Sequence, residues 1–134
     1  MLSISDFQLG MSADISRTFT SDDVIKFAEL SGDNNPVHLD DEYAKNTMFG
    51  ARIVHGALAS SLFSTLFANT LPGPGCIYLK SENKYLKPIY LDEEVTFTIK
   101  IVEINEEKKR IIFDTVALFR NEKAIIGSAE IFIP

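Results

Sequence analysis

One short stretch of the sequence, residues 31–40 (Ser-Gly-Asp-Asn-Asn-Pro-Val-His-Leu-Asp), places a carboxylate and an imidazole close together. Asp33 and His38 lie on either side of Asn35 and Pro36. A carboxylate can accept a proton from water, and an imidazole titrates near neutral pH and can relay or donate one. Because Pro36 fixes its own φ and favours extended backbone at Asn35, the loop is stiff enough to hold an acid–base pair.

The same stretch also has an ordinary interpretation. Asp-Asn-Asn-Pro is a common composition for a turn, because these residues bond their own backbone or pre-set its angles. A histidine between Val37 and Leu39 is often only packed against apolar neighbours. The pair of Asp33 and His38 therefore predicts a site only when a second stretch supports it.

The second stretch is Ile-Val-His-Gly-Ala at residues 53–57, which leads into a predicted helix over residues 56–70. The first amides of a helix have no intrahelical partner and carry partial positive charge. Glycine at this place lets a ligand approach the backbone closely. We expect the Gly56 N–H to act as an oxyanion-hole donor, an interaction typically worth about 3 kcal/mol of barrier. The ordinary alternative is a helix start that needs no side chain.

Two further polar residues are candidates with open roles. His55 either caps the helix or lines the pocket, and we favour a structural role because a single histidine is usually satisfied by local partners. Ser64 lies two helical turns beyond Gly56. It either bonds a loop group such as Asp33 or covers a small packing position.

The remaining elements follow from periodicity. Thr20 or Ser21 caps a helix that ends at Gly32, and a shorter helix is predicted over residues 40–48. Residues 56–70 contain no charged side chain, which predicts a helix buried on all sides. Apolar residues alternate over 95–101, 111–117 and 125–131, and in places over 76–90, which predicts strands. A long helix followed by antiparallel strands predicts an α+β fold with a sheet wrapped around that helix.

Composition narrows the classes of function. The 134 residues are expected to form one domain, residues 1–134, and the net charge of −6 argues against a nucleic-acid partner. No uncharged apolar run reaches membrane-spanning length, and we see no signal peptide. Cys76 is the single cysteine, so no internal disulfide can form. We therefore expect a cytoplasmic protein that does not bind membranes.

Together the two stretches resemble the MaoC-like (R)-specific enoyl-CoA hydratases, and the resemblance covers nearly the whole chain. It is carried by the Asp-x-Asn-Pro-x-His run at residues 33–38 and the later Ile-Val-His-Gly at 53–56. Supporting matches are Phe7, Gly10-Met11, Phe19-Thr20, Asp23, Phe27-Ala28 and the Leu-Pro-Gly-Pro-Gly run at 71–75. Arg52 is a departure, because a smaller residue or proline is expected before Ile-Val-His-Gly.

The resemblance implies a hot-dog fold: an antiparallel sheet wrapped around a long central helix, with an overhanging segment that carries Asp33 and His38. It implies a homodimer or dimer of dimers with the site near the subunit interface. In such enzymes the counterparts of Asp33 and His38 activate a water that adds to C3 of a trans-2-enoyl thioester. The N–H of Gly56 would polarise the thioester carbonyl, and Ser64 would hold the aspartate. The resemblance implies no metal or cofactor, since coenzyme A arrives only as part of the substrate.

The acyl pocket is expected between the central helix and the sheet. We expect Leu62, Phe63 and Leu66, or their neighbours, to set its depth, although core packing also accounts for such residues. Lys80, Lys84 and Lys87 form the basic cluster closest to an expected pocket mouth. Three alternatives stay open at this point: an acyl-CoA thioesterase of the same fold, an acyl-carrier-protein dehydratase, and a non-catalytic module that binds acyl thioesters.

Overall fold

The computed structural model describes residues 1–134 and consists of five strands and four helices. The N-terminal part contains a 3₁₀ turn at Ile4–Asp6, then β1 (Ser12–Thr18), α1 (Ser21–Ser31), α2 (Pro36–Leu39), α3 (Asp41–Lys45) and α4 (Gly56–Asn69). The C-terminal part contains β2 (Ile77–Tyr85), β3 (Glu94–Asn105), β4 (Arg110–Phe119) and β5 (Glu122–Phe132).

The five strands form one sheet in the order β1-β3-β4-β5-β2, and every neighbouring pair is antiparallel. Along β3 and β4 buried and accessible residues alternate, as expected for strands with one face on the core. The inward rows consist of Val95, Phe97, Ile99 and Ile101 on β3 and Ile111, Phe113, Thr115 and Ala117 on β4. These are the rows that alternation in the sequence predicts.

Helix α4 packs across the inner face of the sheet and brings aromatic rings into the core. Phe63 meets Phe97 edge-on with ring centroids 5.5 Å apart, and Phe67 meets Phe113 at 4.8 Å. The core contains 22 buried apolar residues drawn from α4, the strands and the segments beside them. The prediction of an α+β fold with the sheet wrapped around the long helix is confirmed.

The prediction that α4 is buried on all sides is wrong for the single chain. Ala57, Ser61 and Ala68 are exposed along one side of the helix. Two of these residues are alanines, and the hydroxyl of the third, Ser61, donates to the Leu58 carbonyl at 2.6 Å, so this exposed side carries no charge. The prediction failed because a helix face without charged residues is either buried or, as here, exposed and made of small residues.

The segment that leads into α4 is more helical than predicted. Residues 36–39, expected to be loop, form the single turn α2 with Pro36 in its first turn. The Asn35 side chain caps this turn by accepting from the Val37 N–H at 3.4 Å. Asparagine as the cap followed by proline in the first turn is a known helix-start pattern, but the same residues are also common in turns.

No helix of the structure is both long and apolar enough to cross a membrane.

Candidate active site

Asp33 lies in the short loop between α1 and α2, directly after Gly32. Gly32 ends α1 with a left-handed backbone (φ 80°), and the Asn35 N–H donates to Asp33 Oδ1 at 3.3 Å. The Ser31 hydroxyl accepts from the Asp33 N–H at 3.1 Å. These bonds hold the loop in one shape while the Asp33 residue stays exposed.

His38 follows on α2 and is nearly buried, with 8% of its surface exposed. Its Nδ1 lies 2.8 Å from the carbonyl oxygen of Ile53. Because a carbonyl oxygen only accepts, Nδ1 carries a proton, and Nε2 of the neutral ring keeps its lone pair. The second stretch of the sequence thus fixes His38 in the tautomer that a general base needs.

His55 contacts both Asp33 and His38. Its Nε2 donates to the Asp33 carbonyl at 3.2 Å, and its ring stacks on the His38 ring with centroids 3.9 Å apart. His55 is 1% exposed, and this burial lowers its pKa. Its Nδ1 is buried without a partner, and its side chain does not cap α4. His55 is therefore a neutral support for the loop and the ring.

Ligand atoms of Asp33, His38 and His55 all lie within 4.8 Å of one another. Ligands around one tetrahedral zinc sit only about 3.4 Å apart, given metal–nitrogen bonds of 2.0–2.1 Å. The two imidazole planes lie 29° from parallel, so their in-plane lone pairs do not converge on one point. The arrangement suits proton transfer at His38 beside a carboxylate better than it suits a chelated ion.

Gly56 opens α4 and faces the same cleft as His38. The N–H of Gly56 has no hydrogen-bond partner in the chain. A cleft of about 360 Å³ is lined by 13 residues, nine of them hydrophobic, and both His38 and Gly56 belong to the lining. Its apolar wall includes Met48, Phe49, Ala59, Ile89 and Ile125. A proton acceptor and a free backbone donor therefore border one hollow.

Tyr85, at the end of β2, lies against Gly56. A Cβ atom at position 56 would be 2.8 Å from Tyr85 Cε1, a distance too short for van der Waals contact. The Tyr85 hydroxyl donates to the Ser60 hydroxyl at 3.1 Å, which anchors the ring over the helix start. The protein's own ring therefore disfavours a larger residue at position 56.

The structure does not bring Ser64 to Asp33 within the chain. Ser64 makes no hydrogen bond with Asp33 and borders a shallow depression formed with Ser60, Ser61 and residues of β2. It lies on the same side of α4 as exposed Ala57 and Ser61. The role of Ser64 as a partner of the aspartate stays a prediction without support from this placement.

The three predicted acyl-pocket residues, Leu62, Phe63 and Leu66, are all buried in the core. None of them lines the cleft beside Gly56, whose wall on α4 is Ala59. Ala59 lies one turn after Gly56 on the same helix face, a spacing that could have identified it from sequence. Core packing, the second interpretation of these three residues, agrees with their position.

The predicted basic cluster does not converge either. Lys87 borders the cleft mouth and pairs with Glu122, whereas Lys80 pairs with Glu82 at 3.4 Å beside a different depression. Lys84 borders a third depression, formed by β2, β4 and β5. Only Lys87 is placed to meet a ligand at the cleft.

Arg52, noted in the sequence as a departure, is a site residue that sequence reasoning missed. Its side chain is 11% exposed. Its Nε donates to the main-chain carbonyl of His38 at 2.7 Å. Any residue at position 38 would offer that carbonyl, so residue types alone gave no signal for the contact.

Comparison with known proteins finds similar sequences over nearly the whole chain. The sequence pattern of the MaoC like domain matches residues 6–122. The chain is 35% identical to an (R)-specific enoyl-CoA hydratase of Rhodospirillum rubrum, over 96% of this chain and 90% of the relative. It is 36% identical to an (R)-specific enoyl-CoA hydratase of Aeromonas caviae, over 99% of this chain and 100% of the relative.

A solved structure shows the same likeness in three dimensions. The (R)-hydratase from A. caviae involved in PHA biosynthesis superposes with a TM-score of 0.93 at 36% identity, covering 96% of this chain and 98% of that one. The fold and nearly the whole length of the sequence are therefore similar to those of one family. The chain belongs to the family of MaoC-like domain proteins.

Proposed function

We propose that the protein is an (R)-specific enoyl-CoA hydratase that interconverts a trans-2-enoyl-CoA and an (R)-3-hydroxyacyl-CoA. The observation that carries this is the grouping of Asp33 and His38 within 4.8 Å, beside a cleft that the unpaired Gly56 amide also borders. The names of the R. rubrum and A. caviae relatives support the same reaction and its stereochemistry.

In this proposal the site splits water across the double bond. The Nε2 lone pair of His38, with the Asp33 carboxylate beside it, accepts a proton from water as the oxygen bonds to C3. Negative charge moves to the thioester oxygen, where the Gly56 N–H stabilises it as an enolate. A proton from the Asp33–His38 pair then bonds to C2. Dehydration follows the same steps in reverse.

We propose short- to medium-chain substrates. The cleft is apolar and about 360 Å³, within the usual range of about 300–1,000 Å³ for small-molecule pockets. Ile125 and Ala59 border it where an acyl chain would extend from the Gly56 amide. Initial rates over a series of enoyl-CoAs of increasing length would measure the preference, and a rate that rises steadily to long chains would contradict it.

No metal or bound cofactor has a part in this proposal. The acid–base pair and the backbone donor supply each step, and coenzyme A enters with the substrate. Dialysis against EDTA is expected to leave the hydration rate unchanged. A loss of activity that is recovered only when a divalent metal is added back would contradict this part.

We also propose that the protein works in the cytoplasm, where a free thiol such as that of Cys76 stays reduced.

We propose that the chain acts as a homodimer, alone or as a dimer of dimers. Strand β2 is an edge strand whose residues are almost all exposed, including Ile77, Tyr78 and Leu79. Its neighbour on the surface is the small-residue side of α4. An edge with apolar side chains is a template for pairing with another chain.

Analytical ultracentrifugation tests the dimer. The expected mass is 30 kDa or a multiple of it, twice the 15.0 kDa of one chain. Leu79→Asp should shift the mass toward one chain, whereas the same change at Leu118, which is exposed on β4, should not. A mass of 15.0 kDa for the unchanged protein would contradict the dimer.

The reaction itself is tested by the loss of enoyl absorbance from crotonyl-CoA. Asp33→Asn and His38→Ala should each lower kcat/KM at least about a hundredfold, the scale of general acid–base groups. Glu42→Gln is the matched control, because Glu42 is an exposed carboxylate in the same segment. Unchanged rates in both site variants would contradict the assignment.

The same preparation separates the alternatives. Release of free thiol from saturated acyl-CoA would indicate a thioesterase. A strong preference for the acyl-carrier-protein thioester over the coenzyme A thioester would indicate an acyl-carrier-protein dehydratase. Tight binding of enoyl-CoA without turnover would indicate a binding module. Chiral analysis of the product checks the (R) configuration.

A further inference from the structure

We propose that Arg52 is a positioning residue that sets the orientation of the His38 imidazole. This inference rests on the proposed function, because that function gives His38 the proton-transfer role that its orientation serves. It starts from the direct contact between the two residues, in which Arg52 Nε donates to the His38 carbonyl at 2.7 Å.

His38 is held at two points by two consecutive residues. Arg52 binds its main-chain oxygen, and the Ile53 carbonyl accepts from its ring Nδ1 at 2.8 Å. The Ile53 N–H also donates to the Val37 carbonyl at 3.3 Å. The main chain and the ring of His38 are therefore both bonded to the Arg52–Ile53 dipeptide. Ile53 in turn forms a β-bridge with Tyr90, and the N–H of the next residue, Val54, donates to the Ile89 carbonyl at 2.8 Å.

The same guanidinium reaches the starts of two other helices. Arg52 Nη1 donates to the Ser21 hydroxyl at 3.0 Å, at the first residue of α1. Nη1 also lies 3.9 Å from Asp41 Oδ1, at the first residue of α3. One side chain thus links α1, α2 and α3, the three helices that surround the Asp33–His38 loop.

Helix α2 needs such support from outside. It is four residues long, and a helix this short does not stabilise itself in water. Arg52 Nη2 is buried without a hydrogen-bond partner. The guanidinium therefore bonds His38 and Ser21 although this position leaves one of its own donors unpaired. Arginine is required because its rigid fork presents several donors at once, whereas lysine offers a single point charge.

The consequence for the reaction is geometric. When Arg52 is removed, α2 can shift and the His38 Nε2 no longer meets the attacking water at the right distance. Misplacement on the order of 1 Å is enough to cost about a hundredfold in rate. Substrate binding at the Gly56 amide and the apolar wall involves no atom of Arg52, so KM should change little.

A double-mutant cycle tests whether Arg52 acts through His38. Arg52→Met should lower kcat about ten- to a hundredfold in the unchanged protein and less than about twofold in a His38→Ala background. Arg52→Lys should give an intermediate loss. Arg110→Met is the matched control, because Arg110 also pairs with a carboxylate, that of Glu130, but borders neither the cleft nor the depression around Arg52, so kcat should not change. Equal losses in both backgrounds would overturn the proposal.

A second measurement does not depend on activity. The chain has only two histidines, so long-range ¹H–¹⁵N spectra report the His38 and His55 rings directly. The unchanged protein should show His38 with its proton on Nδ1, and Arg52→Met should show mixed tautomers at His38 with an unchanged His55. If Arg52→Met fails to fold, Arg52→Lys takes its place in the same spectra.

The two measurements separate this inference from the proposed function. If Arg52→Met shows mixed tautomers at His38 but the unchanged protein does not hydrate enoyl-CoA, the positioning role of Arg52 stands and the proposed hydratase function is overturned. An active hydratase whose His38 signals are identical in Arg52→Met and in the unchanged protein would overturn the positioning role.

Discussion

Two regions of the molecule are held together by different forces. The core between α4 and the sheet contains 22 buried apolar residues and is stabilised by burial and ring packing. The site segment, residues 31–56, consists of the short helices α2 and α3 and loops, held by side chains that bond main-chain groups. Those bonds include Arg52 and His55 donating to the carbonyls of His38 and Asp33.

The difference separates stability from activity. Burial is non-directional and roughly proportional to area, and it supplies most of the favourable free energy of folding. Hydrogen bonds to single carbonyls are directional and contribute little net stability, but they fix where the reacting atoms lie. Changes in the core should therefore lower stability, and changes in the site segment should lower the rate.

The largest expected loss of stability comes from Phe97→Ala. Phe97 is fully buried and lies edge-on to Phe19 and Phe63, with ring centroids 6.3 Å and 5.5 Å away. Removal of a buried phenyl ring typically costs about 3–5 kcal/mol, measurable by urea unfolding. The kcat of the folded fraction should stay close to that of the unchanged chain. A stable variant with strongly reduced kcat would show that the two regions are not separable.

Asp33→Asn should show the opposite pattern. The exposed Asp33 carboxylate accepts only from the Asn35 N–H, and an amide oxygen can accept the same bond. The free energy of unfolding should change by less than about 1 kcal/mol, as for most surface substitutions. The expected hundredfold loss in kcat/KM corresponds to about 2.7 kcal/mol of transition-state stabilisation. Loss of stability as large as that from Phe97→Ala would contradict the comparison.

Gly56→Ala tests the position where the two regions meet. The new methyl group would lie 2.8 Å from Tyr85 Cε1, but the ring is 52% exposed and can turn at the expense of its bond to Ser60. We expect a loss of about 1 kcal/mol, at the low end for an overpacked site. In a Tyr85→Ala background the same substitution should cost almost nothing in stability.

The activity of the same pair separates the two reasons for glycine. If the methyl group blocks the approach of the thioester to the amide, Gly56→Ala stays slow when Tyr85 is alanine. If only the Tyr85 ring requires glycine, the rate of the double variant returns to that of Tyr85→Ala. The second result would contradict the proposal that the thioester approaches the Gly56 N–H closely.

Much of the fold was predictable because its signals are local. The Thr20 cap accepts from the Asp23 N–H at 3.2 Å and Gly32 ends the helix, as the sequence indicates. Alternation along β3 and β4 likewise follows from side chains within one strand. Helix α2 was missed because Asn35 and Pro36 serve a turn and a helix start equally well.

The site was predictable only where function depends on side-chain type. Asp33 lies beside His38, and His38 borders the same cleft as Gly56; in the proposed function an acid, a base and a close-approach backbone each need a particular residue. Arg52 and His55 act on main-chain carbonyls, which every residue has, so residue types do not reveal their partners. Periodicity groups the residues of α4 into faces, but which face borders the cleft depends on β2 and β5, whose positions come from tertiary packing.

The smallest expected effect is a pH dependence from His55, a buried residue near the end of the site segment. Burial holds the pKa of His55 below its ordinary value of about 6.5. The unfolded chain therefore binds a proton that the folded chain does not, in the window below about 6.5 and above the lowered pKa. Stability should fall as the pH drops through this window, by at most about 1.4 kcal/mol per pH unit for one group.

Urea unfolding at about pH 7 and about pH 5.5, above the carboxylate range, measures this slope. His55→Gln keeps a donor for the Asp33 carbonyl but cannot titrate, so its free energy of unfolding should vary less with pH than that of the unchanged chain. His38→Gln, which removes the other histidine of the chain, is the matched control for the loss of an imidazole. If His55→Gln retained the full slope, the slope would not come from His55, and His55 would not be the neutral support described above.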